Sequence, residues 1–155
     1  MRIAILSDIH GNLEALRAIP GHFDEMWVLG DLVNYGPDPG AAVDFVRSNA
    51  SLVVRGNHDH AIGNGVDPGC SAAFREMALA MQAYTETVLD EGQKDYLRRL
   101  PLTARRDAGG YRFFLCHATP SDPLFQYRPA DSVTWGQAAD SVDADILLAG
   151  HTHLP

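Results

Sequence analysis

Little in this sequence serves crosslinking, membrane crossing or the gripping of long polyanions. It holds only two cysteines, Cys70 and Cys116, and they show no zinc-ligand spacing and no disulfide framework. Both are read as reduced thiols, Cys116 packed inside a strand. No apolar run nears the ~20 residues of a membrane span. The opening Met1–Leu6 run meets Ser7 and Asp8 at once, so neither a signal peptide nor a membrane anchor is expected there, and a cytoplasmic location follows. Basic residues are sparse: 12 Lys and Arg face 20 Asp and Glu, a net charge of -8. A surface built for a long nucleic acid needs clustered cations, so none is expected as a partner. The acidic balance itself has two readings, an ordinary solvated surface or carboxylates gathered around cations that would neutralise them.

What is present is a normal globular composition, 155 residues with 46% apolar content, which suits one domain over residues 1–155. Arg2–Leu6, Glu25–Leu29, Ser51–Val54 and Ile146–Ala149 are nearly continuous apolar runs, as in strands buried on both faces. Helical spacing separates the early ones. Asn12 caps a segment with Leu13, Leu16 and Ile19, and Pro39–Gly40 precede Ala41–Asn49. That alternation predicts an α/β fold with a parallel sheet. A longer helix is expected from about Ser71 to Leu89, with Phe74, Met77, Ala78, Met81, Tyr84 and Val88 at three- and four-residue steps and its methionines packed in the core, and a short one around Tyr96–Leu100. Thr103–Ala108 and Tyr111–Cys116 flank Gly109-Gly110, the pattern of an antiparallel hairpin with a primed turn. The stretch from Thr119 to Arg128 reads as a long loop.

The chemistry lies at the ends of the strands. Five strand-like runs finish directly in Asp8-Ile9-His10, Asp31, Asn57-His58-Asp59, His117 and His151-Thr152-His153. In an open α/β sheet ligands bind beyond the carboxyl ends of the strands, so five such endings would converge on one crevice. Residues two apart on an extended chain face one side, which lets Asp8 act with His10, and His151 with His153. Gly30, Gly56 and Gly150 stand immediately before ligands, where the chain must turn or approach closely. Mixed carboxylate, imidazole and amide donors suit Mn, Fe, Co, Ni or Zn better than Ca, and the number of donors suits two ions. Five of the seven histidines occupy these endings; His22 and His60 do not.

The ordered series Asp8-Ile9-His10-Gly11-Asn12, Gly30-Asp31, Gly56-Asn57-His58-Asp59, His117 and Gly150-His151-Thr152-His153 resembles the calcineurin-like metallophosphoesterases along the whole chain. Within them it is most similar to bacterial YfcE-like phosphodiesterases and their diadenosine-tetraphosphatase-like relatives. The resemblance implies an α/β/β/α sandwich with a dinuclear site at the strand ends. Asp8, His10 and His153 would hold one divalent ion and Asn57, His117 and His151 the other, manganese being favoured, with Asp31 bridging. A bridging water would be the nucleophile. His58 would be the general acid, oriented by Asp59 or by Asn34. The expected activity is hydrolysis of phosphodiesters or small phosphomonoesters, with a small phosphate ester as substrate; a homo-oligomer is compatible with all of this. The alternative is a non-catalytic interaction or nucleotide-sensing module that keeps the fold.

Two departures from the family pattern matter. Asn34-Tyr35 stands where the family's protein phosphatases carry Asp-Arg, which weakens the protein-phosphatase reading and leaves Arg55 as a candidate grip on phosphate beside Asn34 and Tyr35. The family also continues past Gly-His-Thr-His with further strands, whereas this sequence stops at Pro155. An incomplete second sheet, in a fragment or in a chain completed by a partner, is therefore expected. Tyr35, Phe125, Tyr127 and Trp135 are candidates for lining a substrate pocket.

Overall fold

The structure, a computed structural model, describes residues 1–70 and 72–153. Ser71, the expected first residue of the long helix, and Pro155 lie outside the described residues. Two three-stranded sheets form the frame. In the first, β1 (Ile3–Leu6), β2 (Glu25–Val28) and β3 (Leu52–Val53) run parallel in that order, joined through α1 (Leu13–Arg17) and α2 (Pro39–Asn49). The chain then enters α3 (Asn57–Asn64), α4 (Arg75–Val88) and α5 (Glu91–Arg99). The second sheet is β4 (Thr103–Ala108), β5 (Tyr111–Cys116) and β6 (Ile146–Leu148), antiparallel across the first pair and parallel across the second. The parallel pair needs a crossover, and α6 (Trp135–Asp140) sits within it.

Strand β2 explains the layering. Its side chains alternate, so Met26 and Val28 join Leu16, Val43, Val46, Ile62 and Leu97 from the helices, while Trp27 and Leu29 join Val54, Ala108 and Leu115 between the sheets. Both faces are apolar because both are covered. Trp27 is wholly buried and meets Phe113 of β5 edge to face at 5.1 Å. A buried aromatic of this kind contributes on the order of 3–5 kcal/mol. Glu25 takes the Trp27 indole N–H at 2.8 Å and pairs with Arg106 of β4, tying the sheets at their rim.

The hairpin forms as its glycines require. Gly109 and Gly110 take φ of 58° and 86°, the two positive values of a type I′ turn, and Ala108 pairs with Tyr111. Cys116 ends β5 buried, its thiol pushed up to about 12 by burial. The long helix departs from expectation. It rests on α2 and α3 through Ala78, Gln82 and Thr85, and leaves Phe74, Met77, Tyr84 and Val88 exposed. Close approach of the helices explains the inversion, because a smaller, partly polar face lets α4 sit down on its neighbours, with the Gln82 amide donating to the Val66 carbonyl at 3.1 Å. Met77 is therefore not core. Among the described residues no helix is long and apolar enough to cross a membrane.

Candidate metal centre

The five strand endings do converge. Asp8 follows β1, Asp31 follows β2, Asn57 opens α3 just after β3, His117 follows β5 and His151 follows β6. Two compact donor groups result, Asp8 with His10 and His153, and Asp31 with His117 and His151. Asp31 joins them, since its Oδ2 lies 3.8 Å from His10 Nε2 and 3.3 Å from His117 Nε2. The Asn57 amide oxygen reaches His117 Nε2 at 3.1 Å.

Backbone strain marks the same place. All seven non-glycine residues with positive φ among the described residues are Asp8, His10, Asp31, Asn34, Tyr35, His151 and His153. Such conformations cost about 1 kcal/mol or more each and persist where the surroundings impose them, typically at functional sites. Hydrogen bonds between the loops supply that constraint. Asp8 N–H donates to the Gly30 carbonyl, His10 N–H to that of Asp31 and His151 N–H to the Asp8 carboxylate, at 3.1, 2.9 and 3.0 Å.

Three of the candidate ligands, His117, His10 and Asn57, are aimed by a backbone carbonyl. A carbonyl can only accept, so His117 Nδ1 donates to Leu29 O at 2.8 Å and His10 Nδ1 to Val33 O at 3.0 Å. In the neutral rings this leaves the Nε2 lone pairs facing the donor groups, the arrangement a metal-ligating histidine needs. The Asn57 amide nitrogen likewise donates to Pro68 O at 2.7 Å, which turns its oxygen inward. Asp8 Oδ1 is buried with no hydrogen-bond partner. Ligands about 2.1 Å from one cation stand roughly 3.0–3.4 Å from each other. Here His10 Nε2 and His153 Nε2 are 3.2 Å apart, His117 Nε2 and His151 Nδ1 3.1 Å, and His153 Nε2 and Asp8 Oδ1 3.4 Å. The orphaned oxygen, the fixed tautomers and the spacing all fit two divalent cations.

Electrostatics fit as well. Burial raises the Asp31 carboxyl, but His117, His58 and His10 outweigh it and hold the group well below the usual carboxylate range. A backbone N–H in the first turn of α3 helps, His58 N donating to Asp31 Oδ1 at 2.9 Å. His117 is wholly buried; burial opposes its charge, yet Asp31 and then Asp8 push the imidazole up to about 9. A cation must displace that proton. Metal binding at pH 7 is therefore expected to release roughly one proton from His117, and apparent affinity should rise from pH 7 to about 9 before levelling. Calorimetry of manganese binding in buffers of different ionisation enthalpy checks this, and a buffer-independent heat would contradict it.

Gly56 and Gly150 are where close approach is compulsory. A Cβ at Gly56 would stand 2.0 Å from Asp31 Oδ1, and one at Gly150 would stand 1.9 Å from Ser7 Oγ. Gly56→Ala should lower manganese affinity more than tenfold and destabilise the fold by about 1–3 kcal/mol, the usual cost of overpacking. Gly136→Ala in α6, where a Cβ meets nothing within 4 Å, is the control. Metal titration and thermal unfolding read both.

The remaining sequence candidates fall differently. His58 is buried beside the donor groups, its Nδ1 2.8 Å from the Asn34 amide nitrogen and its Nε2 3.8 Å from Cys70 Sγ. Burial foremost drives its pKa down to about 4. Of the two expected orienting residues, Asn34 makes the contact. Asp59 instead accepts from the backbone N–H groups of Asp31, Leu32 and Gly56 at 2.8, 2.8 and 3.0 Å, so it clamps the Asp31 loop to the start of α3. Burial and Asp31 together raise the Asp59 carboxyl to about 7. Tyr35 packs edge-on against the rings of His10 and His58, each at 4.9 Å. Arg55 is a correction: its guanidinium donates to the Arg98 carbonyl at 2.7 Å and does not line the cleft. Trp135 is another, held away by its indole N–H on Pro129 O and by Arg128 over its ring. The cleft, about 850 Å³, is lined by Asp31, His58 and His151 together with Cys70, Phe74 and Met77. Sequence reasoning passed over the last three; only the outward turn of α4 brings Phe74 and Met77 there.

Two packed sheets whose strand ends carry adjoining sets of nitrogen and oxygen donors define a metal-binding α/β protein. The match of residues 1–155 to the calcineurin-like phosphoesterase family shows that the chain belongs to that family. It is 31% identical over 153 residues to a symmetrical bis(5'-nucleosyl)-tetraphosphatase of Vibrio cholerae, covering 90% of this chain and 50% of that one. It is 30% identical over 161 residues to an uncharacterized protein of Methanocaldococcus jannaschii, covering 99% of this chain and 63% of that one. Among solved structures, a metallophosphoesterase from Sphaerobacter thermophilus superposes with a TM-score of 0.82 at 33% identity, covering 100% of this chain and 62% of that one. The chain thus spans between half and two thirds of the length of these relatives.

Proposed function

We propose that this chain carries the active site of a dinuclear metal-dependent phosphoesterase that cleaves small organic phosphate esters. One observation carries the reading: Asp31, buried and anionic, faces both donor groups at once, with His58 beside it in the same cleft. Asp8, His10 and His153 would hold one cation and Asn57, His117 and His151 the other, with Asp31 shared. When bound, such a pair supplies Lewis acidity to the phosphoryl oxygens and lowers the pKa of a water nucleophile. Manganese is the favoured metal among the borderline ions that this donor set suits.

The chain's own groups do the rest. Asn34 and Tyr35 fix the His58 ring, so that its Nε2 faces the cleft and can hydrogen-bond the ester oxygen that departs. Asp59 holds the Asp31 loop in its strained conformation through backbone bonds alone, a positioning role. A scaffold protein has no use for a buried imidazole directed at the cleft, which favours catalysis over a binding module. The test is hydrolysis of bis- and mono-p-nitrophenyl phosphate with added manganese, with metal content measured on the same protein. Equal rates in wild type and Asp31→Asn would remove the proposal.

A further inference from the structure

The cleft beside the donor groups presents more apolar surface than chemistry at phosphorus requires. Phe74 and Met77 from the start of α4, with Phe125 and Tyr127 from the 119–128 loop, line it together with Asp31 and His58. Their exposures are 59%, 50%, 43% and 60%. Single exposed apolar residues are ordinary, but four meeting in one cleft beside a reactive centre form a binding surface.

The loop that brings two of them is pinned. Asp122 Oδ1 accepts from the N–H groups of Leu124 and Phe125 at 3.3 and 3.1 Å, and the Thr119 hydroxyl donates to Gln126 Oε1 at 2.6 Å. Tyr127 donates through its hydroxyl to Thr152 O at 3.3 Å, beside the two histidine ligands, and its ring meets that of His151 at 5.8 Å. Phe125 lies so near Gly69 that a Cβ there would stand 2.7 Å from the ring. Rings held this way cost little further ordering when a flat ligand stacks on them.

Charge narrows the ligand. Among the described residues that line the cleft there is no Lys or Arg. The nearby arginines are committed elsewhere, Arg55 to the Arg98 carbonyl and Arg75 to Asp67. A polyphosphate chain carries a charge on every phosphate and is normally gripped by such side chains. Here one phosphate would find its partners at the donor groups, and further ones would find no Lys or Arg among the described lining residues.

We infer that the cleft selects esters of a single phosphate whose organic arm ends in a flat, uncharged ring, a nucleobase or another aryl group, stacked among Phe74, Met77, Phe125 and Tyr127. This rests on the reading that the phosphate sits against the two donor groups. Calorimetric titration of manganese-loaded protein tests it, using analogues in which carbon replaces the ester oxygen so that none is turned over. The phosphonate analogues of AMP, phenyl phosphate and ribose 5-phosphate share the anion and differ in the ring.

The AMP analogue should bind about tenfold more tightly than the ribose 5-phosphate analogue, the size of one base-aromatic stack. In Phe125→Ala and in Phe74→Ala, on separate elements, that ratio should fall toward one, whereas Phe125→Tyr keeps it. A like gain for the phenyl analogue assigns the surface to any flat ring, and a gain for the AMP analogue alone assigns it to a nucleobase; both support the inference. Equal affinity of the AMP and ribose analogues overturns it while leaving the phosphate site standing. Absence of binding by all three removes the phosphate site and the inference with it. At fixed free manganese, a further phosphate on the AMP analogue should bring no gain, and a tenfold gain would overturn the single-phosphate selection.

Discussion

Asp31→Asn is expected to retain the fold and lose the enzyme. The substituted amide keeps the shape of the carboxylate and can still accept the His58 backbone N–H that now meets Asp31 Oδ1 at 2.9 Å, so the fold should be retained, with a lower unfolding temperature because His117 loses its buried anionic partner. What changes is the other oxygen. Oδ2 faces His117 Nε2 at 3.3 Å and His10 Nε2 at 3.8 Å, and it is the group common to both donor sets. Removing its charge from a buried position would take an anionic partner from each of the two proposed cations. Loss of a residue that merely orients a ligand typically costs about 10–100-fold in affinity or activity. A shared ligand should cost more, and kcat/KM on bis-p-nitrophenyl phosphate is expected to fall by more than about a hundredfold, with loss of manganese from the purified protein. Proton release on metal binding should fall in parallel, because His117 loses the neighbour that holds its proton. A variant with wild-type manganese content and wild-type rate would refute the assignment.

How much of this was legible beforehand depended on whether a signal was local. Val28, Val53 and Leu148 belong to apolar runs, and such runs mark strand ends well even though only β2 is buried on both faces while β3 and β6 are half-buried. The candidate ligands sit just after them, so their convergence could be argued from topology. The Gly109-Gly110 hairpin was equally plain, since the turn type demands those residues. Periodicity in α4 gave the helix but not the side it buries. Phe74, Met77, Tyr84 and Val88 make the more apolar stripe, yet contact with α2 and α3 selects Ala78, Gln82 and Thr85, a choice set by distance between helices. Asp59 misled for a related reason. A carboxylate next to His58 in sequence suggests a dyad, but on α3 it turns toward backbone N–H groups of the Asp31 loop, which no side-chain pattern encodes. The positive φ values at seven site residues were likewise hard to see, because Asp, Asn and His tolerate such a conformation without marking it as glycine does.

His58→Ala should show its largest effect where the leaving group most needs a hydrogen-bond donor. The ring contacts Asn34, Tyr35 and Cys70, and its nitrogens belong to neither donor group, so manganese content should stay at the wild-type level. Its Nε2 faces the cleft, where it can stabilise negative charge building on the departing oxygen. p-Nitrophenolate leaves readily without such help, and its release should fall only a few-fold, on the order of the loss of one hydrogen bond. An alkoxide leaves poorly, and loss of one preorganised donor to a developing oxyanion costs about 10²–10³-fold, so alkyl esters should lose most of their turnover. Plotting log kcat against leaving-group pKa should therefore give a steeper negative slope for the variant than for wild type. Asn34→Leu, which removes the partner of Nδ1 at 2.8 Å, should steepen it less. Parallel lines for wild type and His58→Ala would mean that the imidazole shapes the cleft without touching the leaving group. The two variants also separate the parts of the site: Asp31→Asn removes the metal with the rate, and His58→Ala leaves the metal and removes only the reactions that need a proton at the ester oxygen.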